Sequence, residues 1–307
     1  MIPHHFHFRP EVQAAIQENK PVVALESTVI THGLPYPDNV KTAVSMETAV
    51  RAGGAVPATI AVIQGKVHIG LTPEQIEYLG QQAGKDVRKC SRKDLPLAIA
   101  NGEDGATTVA GTMILADLAS IELFATGGIG GVHRGHPFDV SADLAELGRT
   151  PVTVVSSGAK SILDLPATRE VLETHGVTII GYGVNEMPAF FSRHSGLAVD
   201  ARLDSPEAVA RMILARRQLN LQSGTLVTVP VPAEAAGDPE EMEAAIVQAT
   251  QEADEQGIHG PDSTPWLLSR VVELTQGRSM QANTALLQNN GQVAATIATA
   301  LSRLSNT

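Results

Sequence analysis

Val22-Val23-Ala24-Leu25, followed at once by Glu26-Ser27-Thr28, is an unbroken apolar run that turns polar within one residue. A strand wet on one face alternates apolar and polar residues, whereas a continuous run of β-branched and small residues suits a strand buried on both faces. The same form recurs at residues 59–63, 123–126, 152–155, 177–180 and 226–229. Helical signals fall between the runs. Thr72 with Pro73 reads as a cap and first helical position, and Thr264 with Pro265 precedes a helix expected to stop at Gly277. The alternation predicts a three-layer α/β/α fold with a largely parallel central sheet. Around Gln64-Gly65-Lys66 the pattern reads as a hairpin, which would make the sheet mixed.

No repeat or long linker divides the chain, so residues 1–307 are expected to form a single α/β domain, with 1–19 as an N-terminal extension. Residues 231–243, rich in Pro, Ala and acid, read as a surface loop. Residues 280–304 read as a long helix with Asn283 and Asn290 near one face.

The 307 residues are 43% hydrophobic, enough for a substantial core, and carry a formal net charge of −11. That charge opposes broad nucleic-acid binding, which draws on clustered Lys and Arg. Aromatics make up 3%, too few for base-stacking platforms, so a base would be read mainly by amides and hydroxyls. Cys90 is the only cysteine, which rules out an intrachain disulfide or a thiolate zinc cluster and fits a cytoplasmic location. No apolar run reaches the roughly 18 residues that span a bilayer. His4, His5 and His7 could suggest metal binding, but a frayed tract is the expected reading.

Ligands of parallel sheets gather beyond the carboxyl ends of the strands, so polar residues directly after apolar runs are the first candidates. Glu26 is one, either a general acid-base group or a capping and salt-bridging residue. A second is the loop Thr126-Gly127-Gly128-Ile129-Gly130-Gly131-Val132-His133-Arg134-Gly135, whose glycines free amides for an anion while His133 and Arg134 add donors. Tight turns also select glycine. Residues 105–112, with Thr107, Thr108 and Val109, read as another loop opening a helix whose amides could help hold phosphate. The third is Ser156-Ser157-Gly158-Ala159-Lys160. Desolvation at an apolar strand end favours the neutral amine that attacks carbonyls, while a turn-capping surface lysine is the alternative. Ser141 is a helix cap within Asp139-Val140-Ser141-Ala142-Asp143. One carboxylate there plus waters would suit Mg or Mn. Lys89 and Ser91-Arg92-Lys93-Asp94 add positive charge, most simply a solvated face.

Together Ala24-Leu25-Glu26-Ser27-Thr28, Lys89-Cys90-Ser91-Arg92-Lys93-Asp94-Leu95, Gly105-Ala106-Thr107-Thr108-Val109, the 126–135 loop, Ser141-Ala142-Asp143-Leu144, Gly158-Ala159-Lys160-Ser161-Ile162-Leu163-Asp164-Leu165 and Ser263-Thr264-Pro265 closely resemble the pseudouridine-5'-phosphate glycosidase, or indigoidine synthase A-like, family. The segments match in order from about Lys20 to Leu304. The resemblance implies a homotrimer with one divalent ion per subunit, usually Mn2+ with Mg2+ as the other candidate. It puts the acid-base glutamate on Glu26 and the Schiff-base lysine on Lys160. Substrate contacts fall on Lys89, Thr108, Val109, His133, Ser141, Ala142, Asp143 and Asn283, and the metal ligand on Asp139, with Asp143 as the other candidate. Between Gly135 and Phe138 only His136 and Pro137 intervene, shorter than the family pattern.

The implied chemistry explains the need for a lysine. Glycosidases with two carboxylates expel an oxygen or nitrogen leaving group, but here the sugar is joined to carbon 5 of uracil, and carbon departs badly. If Glu26 moves protons as the ribose opens, Lys160 can add at carbon 1' and supply electrons as the bond breaks; water then releases ribose 5-phosphate. Two other classes stay open: a different Schiff-base sugar-phosphate lyase or aldolase, and a non-catalytic sugar-phosphate binding protein.

Overall fold

The computed structural model describes residues 6–258, 260 and 263–305. Its strands are β1 (Phe6–Phe8), β2 (Val22–Leu25), β3 (Val56–Ile63), β4 (Lys66–Ile69), β5 (Arg88–Cys90), β6 (Gly105–Thr107), β7 (Leu123–Ala125), β8 (Val132–His133), β9 (His136–Val140), β10 (Thr153–Ser156), β11 (Leu163–Asp164), β12 (Thr178–Tyr182), β13 (Ala201–Leu203) and β14 (Thr225–Thr228). Its α-helices are α1 (Pro10–Gln17), α2 (Asp38–Ala52), α3 (Pro73–Gln81), α4 (Leu95–Asn101), α5 (Val109–Leu118), α6 (Ala142–Leu147), α7 (Leu165–Thr174), α8 (Pro206–Gln218), α9 (Pro239–Glu255), α10 (Ser263–Leu274) and α11 (Arg278–Ser305).

Among the described residues, eleven strands make one sheet, in which β3-β2-β7-β10-β14-β12-β13 run parallel. Every residue of β2, β10 and β14 is buried, as their unbroken apolar runs require. Helix α11 packs on β2, β7 and β10 beside α2 and α8, while α5 covers β2, β3 and β7 from the other layer with α6. The three-layer arrangement expected from the sequence is the one observed, and the sheet is mixed. β4 folds back antiparallel on β3 through Gln64 and Gly65, both at positive φ (50° and 72°), which is the hairpin turn whose twist matches the flanking strands.

Strand register sets the edge of the cleft. Leu25 and Val155 both pair with Ala125. The next residues, Glu26, Thr126 and Ser156, therefore emerge side by side at the carboxyl edge of the sheet.

Local expectations fare unevenly. Thr72 caps α3 in a reciprocal box with Gln75, and Ser141 caps α6. Residues 105–107, read as a loop, are β6, because they pair with both β3 and β5. Thr264 lies inside the first turn of α10 rather than capping it. The stretch 231–243 holds a 3-10 turn and the start of α9 as well as loop. The N-terminal stretch also departs from a frayed extension. Phe6–Phe8 pairs parallel with β4, the His7 ring stacks on His68 at 5.4 Å, and Val12 and Ala15 of α1 are buried in the core. An edge strand of three residues leaves too short a pattern to read, yet it covers the otherwise open edge of β4. His4 and His5 lie outside the described residues.

Candidate active site

The residues expected to bind or react converge on one cleft beyond the carboxyl ends of β2, β7 and β10. A cavity of about 830 Å³ is lined by Glu26, Lys89, Thr108, Val109, His133, Asp139, Ser141, Ala142, Asp143 and Lys160. That size is typical of a small-molecule site. A smaller apolar recess continues it past Glu26, Lys89 and Lys160 to Thr126, Gly128, Phe190, Leu268, Asn283 and Leu287. The cleft mixes charges, with Lys85, Arg88, Lys89, Lys93 and Lys160 beside Glu26, Asp86, Asp94, Glu103, Asp139 and Asp143, so an anion would be held there by individual cations such as Lys89 and Lys160 rather than by a net positive field.

Glu26 is half-buried and its carboxylate is held from two sides: the Thr126 hydroxyl donates to Oε1 and the Thr28 hydroxyl to Oε2. Lys160 is half-buried on the turn after β10. That turn is zipped to the glycine loop, with Ile129 N donating to the Gly158 carbonyl at 3.0 Å and Lys160 N to the Ile129 carbonyl at 3.1 Å. Gly158 has φ +83°, and a Cβ there would lie 2.3 Å from the Pro188 carbonyl oxygen, so only glycine makes this corner.

Part of the glycine-rich loop is engaged inside the protein: besides Ile129, Gly130 N donates to Asp143 Oδ2 at 2.8 Å and Val132 N to Thr168 Oγ1 at 3.0 Å. Its glycines also admit neighbours. A Cβ on Gly128 would meet the Phe190 ring at 2.6 Å, and one on Gly130 would meet Ser141 Oγ at 2.2 Å and Asp143 Oδ2 at 2.8 Å. Gly130→Ala is therefore expected to lower stability by about 1–3 kcal/mol, the usual range for overpacking, and to weaken substrate binding as Ser141 and Asp143 are pushed aside. Thermal unfolding and KM measure the two effects. Unchanged values in both would mean that this loop gives way without consequence.

Arg134, expected among the anion donors, points elsewhere. Its guanidinium donates to the carbonyls of Leu163 (3.1 Å) and Ser161 (2.8 Å) and pairs with Glu243 of α9 at 2.6 Å. It staples the β8–β9 hairpin to the body of the molecule. Arg92 likewise is more than a solvated charge, since it makes a paired contact at 2.8 Å and 2.5 Å with Glu146, whose side chain is wholly buried in α6.

The two carboxylates of the 139–143 segment are distinct. Asp143 is buried and receives Ala110 N at 2.9 Å on one oxygen and Gly130 N on the other, tying α5, α6 and the glycine loop together. Asp139 is half-buried on β9, and among the described residues it accepts no hydrogen bond. His133 stands between: burial pushes its imidazole below the ordinary value, Asp139 pulls it up, and His136, Lys89 and Lys160 push it down again. It is therefore mainly neutral near pH 7 and able to donate on one nitrogen and accept on the other.

Three residues take a place in the site that the sequence does not assign them. Thr126 orients Glu26. Phe190, at φ +60°, is 2% exposed and edge-on to Phe191 at 4.6 Å, and its ring forms the recess wall over Gly128. No strand run precedes it, so no pattern flags it. Thr264 lines both parts of the cleft from α10.

Known proteins resemble the whole chain. The family described as "Indigoidine synthase A like protein" matches residues 11–300. A protein of Herpetosiphon aurantiacus named pseudouridine-5'-phosphate glycosidase is 58% identical over 294 residues, 95% of this chain and 96% of that one. One of Clostridium botulinum with the same name is 51% identical and covers 99% of both chains. Among solved structures, the prealnumycin C-glycosynthase AlnA, in complex with ribulose 5-phosphate, superposes with a TM-score of 0.90 at 39% identity over 99% of each chain. An indigoidine synthase A-like protein of Thermotoga maritima gives 0.89 at 36% over 98% of each. Matched along nearly its full length by profile, sequence and structure, the chain belongs to the indigoidine synthase A-like family.

Proposed function

We propose that this protein cleaves the carbon-carbon glycosidic bond of pseudouridine 5'-phosphate, reversibly, to uracil and ribose 5-phosphate, with Lys160 as the Schiff-base nucleophile and Glu26 as the proton carrier. The observation that carries the reading is that Glu26 and Lys160, 134 positions apart in the chain, open on the same cleft in a protein whose relatives at 51–58% identity bear that activity as their name. The sugar phosphate takes the polar end, against Lys89, Thr108, Val109, Ser141, Ala142 and His133. A five-carbon sugar phosphate bound to a structural relative supports this. Uracil takes the apolar recess, where Phe190 offers a ring face or edge and Asn283 an amide.

The divalent ion, Mn2+ or Mg2+, belongs to this proposal. The described residues contain no cluster of three or more His, Cys, Asp or Glu side chains that would make a protein cage. They do fit an ion held by one carboxylate and several waters, the usual habit of Mg2+. Asp139 is the residue for it, since both oxygens of Asp143 already receive backbone amides. When bound, the ion supplies positive charge beside the oxygens of the sugar phosphate. A homotrimer and a cytoplasmic location complete the reading. Among the described residues, no helix is long and apolar enough to cross a membrane.

The test is incubation with pseudouridine 5'-phosphate and Mn2+, with and without prior chelation. Free uracil and ribose 5-phosphate are expected, with activity lost on stripping and regained with Mn2+. No uracil from folded, metal-supplied protein overturns the function. A full rate from protein shown to be metal-free overturns the ion alone.

A further inference from the structure

Asn290 lies midway along α11 and is wholly buried, a place where an amide is costly unless its groups are paired. Its Nδ2 donates to the Thr126 carbonyl at 2.9 Å and to Ser157 Oγ at 3.1 Å, with the Gly127 carbonyl at 3.4 Å, and its Oδ1 accepts from the Ser157 hydroxyl at 3.4 Å. These partners are the first residues beyond β7 and β10. The Thr126 hydroxyl holds Glu26, and Ser157 opens the turn that carries Lys160. An apolar side chain would seat α11 on the sheet without any of these bonds. The amide adds a fixed spacing between two strand ends.

We infer that Asn290 is a positioning residue which sets the separation of Glu26 and Lys160 by clamping the ends of β7 and β10 from α11. The inference rests on the function proposed above. Backbone bonds already join the two ends, from Thr126 N to the Val155 carbonyl (3.0 Å) and from Ser157 N to the Gly127 carbonyl (2.8 Å). Beyond Ser157 the chain turns at Gly158, at positive φ, and among the described residues its backbone is tied to the glycine loop through Ile129 alone, which donates to the Gly158 carbonyl and accepts from Lys160 N. To that single link the Asn290 amide adds side-chain bonds from α11 at the start of the turn, where Phe190 N also donates to the Ser157 carbonyl at 3.0 Å.

The test compares the full chain with Asn290→Ala, Ser157→Ala and a control on the same helix, Asn289→Ala, whose amide reaches the Pro230 carbonyl at 3.4 Å. Asn290→Ala is expected to lower kcat by about a hundredfold, the loss that a displacement of about 1 Å produces in a reacting pair, with KM within about threefold of wild type. Asn289→Ala is expected to keep wild-type kcat. A merely structural Asn290 would lower the unfolding temperature and leave the kcat of folded protein unchanged, which overturns the inference. Should Asn290→Ala not fold, Ser157→Ala decides, a severalfold fall in kcat at constant KM supporting the clamp and a wild-type kcat overturning it. A wild-type protein that releases no uracil sinks the proposed function and this inference with it, whereas an active wild type with an equally active Asn290→Ala sinks the inference alone.

Discussion

Lys160→Arg is expected to abolish uracil release while leaving the fold and the attraction for phosphate in place. Arginine keeps the positive charge at this position, but its guanidinium stays protonated and cannot add to a carbonyl or imine carbon. The side chain stands at the mouth shared by the polar cavity and the apolar recess, so the added length has room. The backbone bonds that hold the turn, to Ile129 and from Leu163, do not involve the side chain. Activity should therefore fall by at least about a thousandfold, since losing a covalent nucleophile elsewhere costs up to about a millionfold. Borohydride added to wild-type protein with ribose 5-phosphate should label Lys160, as read by peptide mass mapping, and the variant should take up no label. If instead the label maps to Lys89, the other proposed substrate contact with an amine, the nucleophile has been assigned to the wrong side of the cleft.

How legible a residue is in the sequence depends on the range of the interactions it makes. Glu26 and Lys160 are legible because each stands only a few residues beyond an apolar run, and parallel sheets bring such positions to one edge whatever the details of packing. Ser141 and Thr72 are legible because caps act within three residues. Arg134 reads wrongly as an anion donor because its partner, Glu243, is 109 residues away, and nothing local tells a stapling arginine from an anion-binding one. The glycines of the 126–131 stretch are conspicuous, but their purpose depends on Phe190, Ser141 and Asp143 pressing against them. Helical spacing puts Asn283 and Asn290 near one face of α11. Only the seating of that helix on β7 and β10 separates a residue lining the recess from one buried behind it. Phe190 lies between β12 and β13 in a stretch with no regular pattern, so its place in the recess is purely tertiary.

The second large effect is expected at Glu26→Gln, which should lower turnover by about a hundredfold to ten-thousandfold, the range for a missing general acid-base group. Glutamine keeps the size of the side chain and one acceptor oxygen. Both groups facing the carboxylate are hydroxyls, Thr28 and Thr126, and a hydroxyl can accept from the new amide as readily as it donated to the old oxygen. Neither contact is lost, so the stability change should stay within about 1 kcal/mol, the scale of a single exchanged hydrogen bond. Affinity for ribose 5-phosphate should also persist, because the proposed phosphate contacts lie on Lys89 and at the amino end of α5. What the variant cannot do is pass a proton to the opening sugar or to carbon 5 of the departing uracil. Uracil release, thermal unfolding and ribose 5-phosphate binding, measured on one preparation, separate these roles. A well-folded variant that binds the sugar phosphate normally and turns over within about threefold of wild type, far short of that loss, would show that Glu26 does not carry the proton and that Thr28 and Thr126 hold it for structure alone.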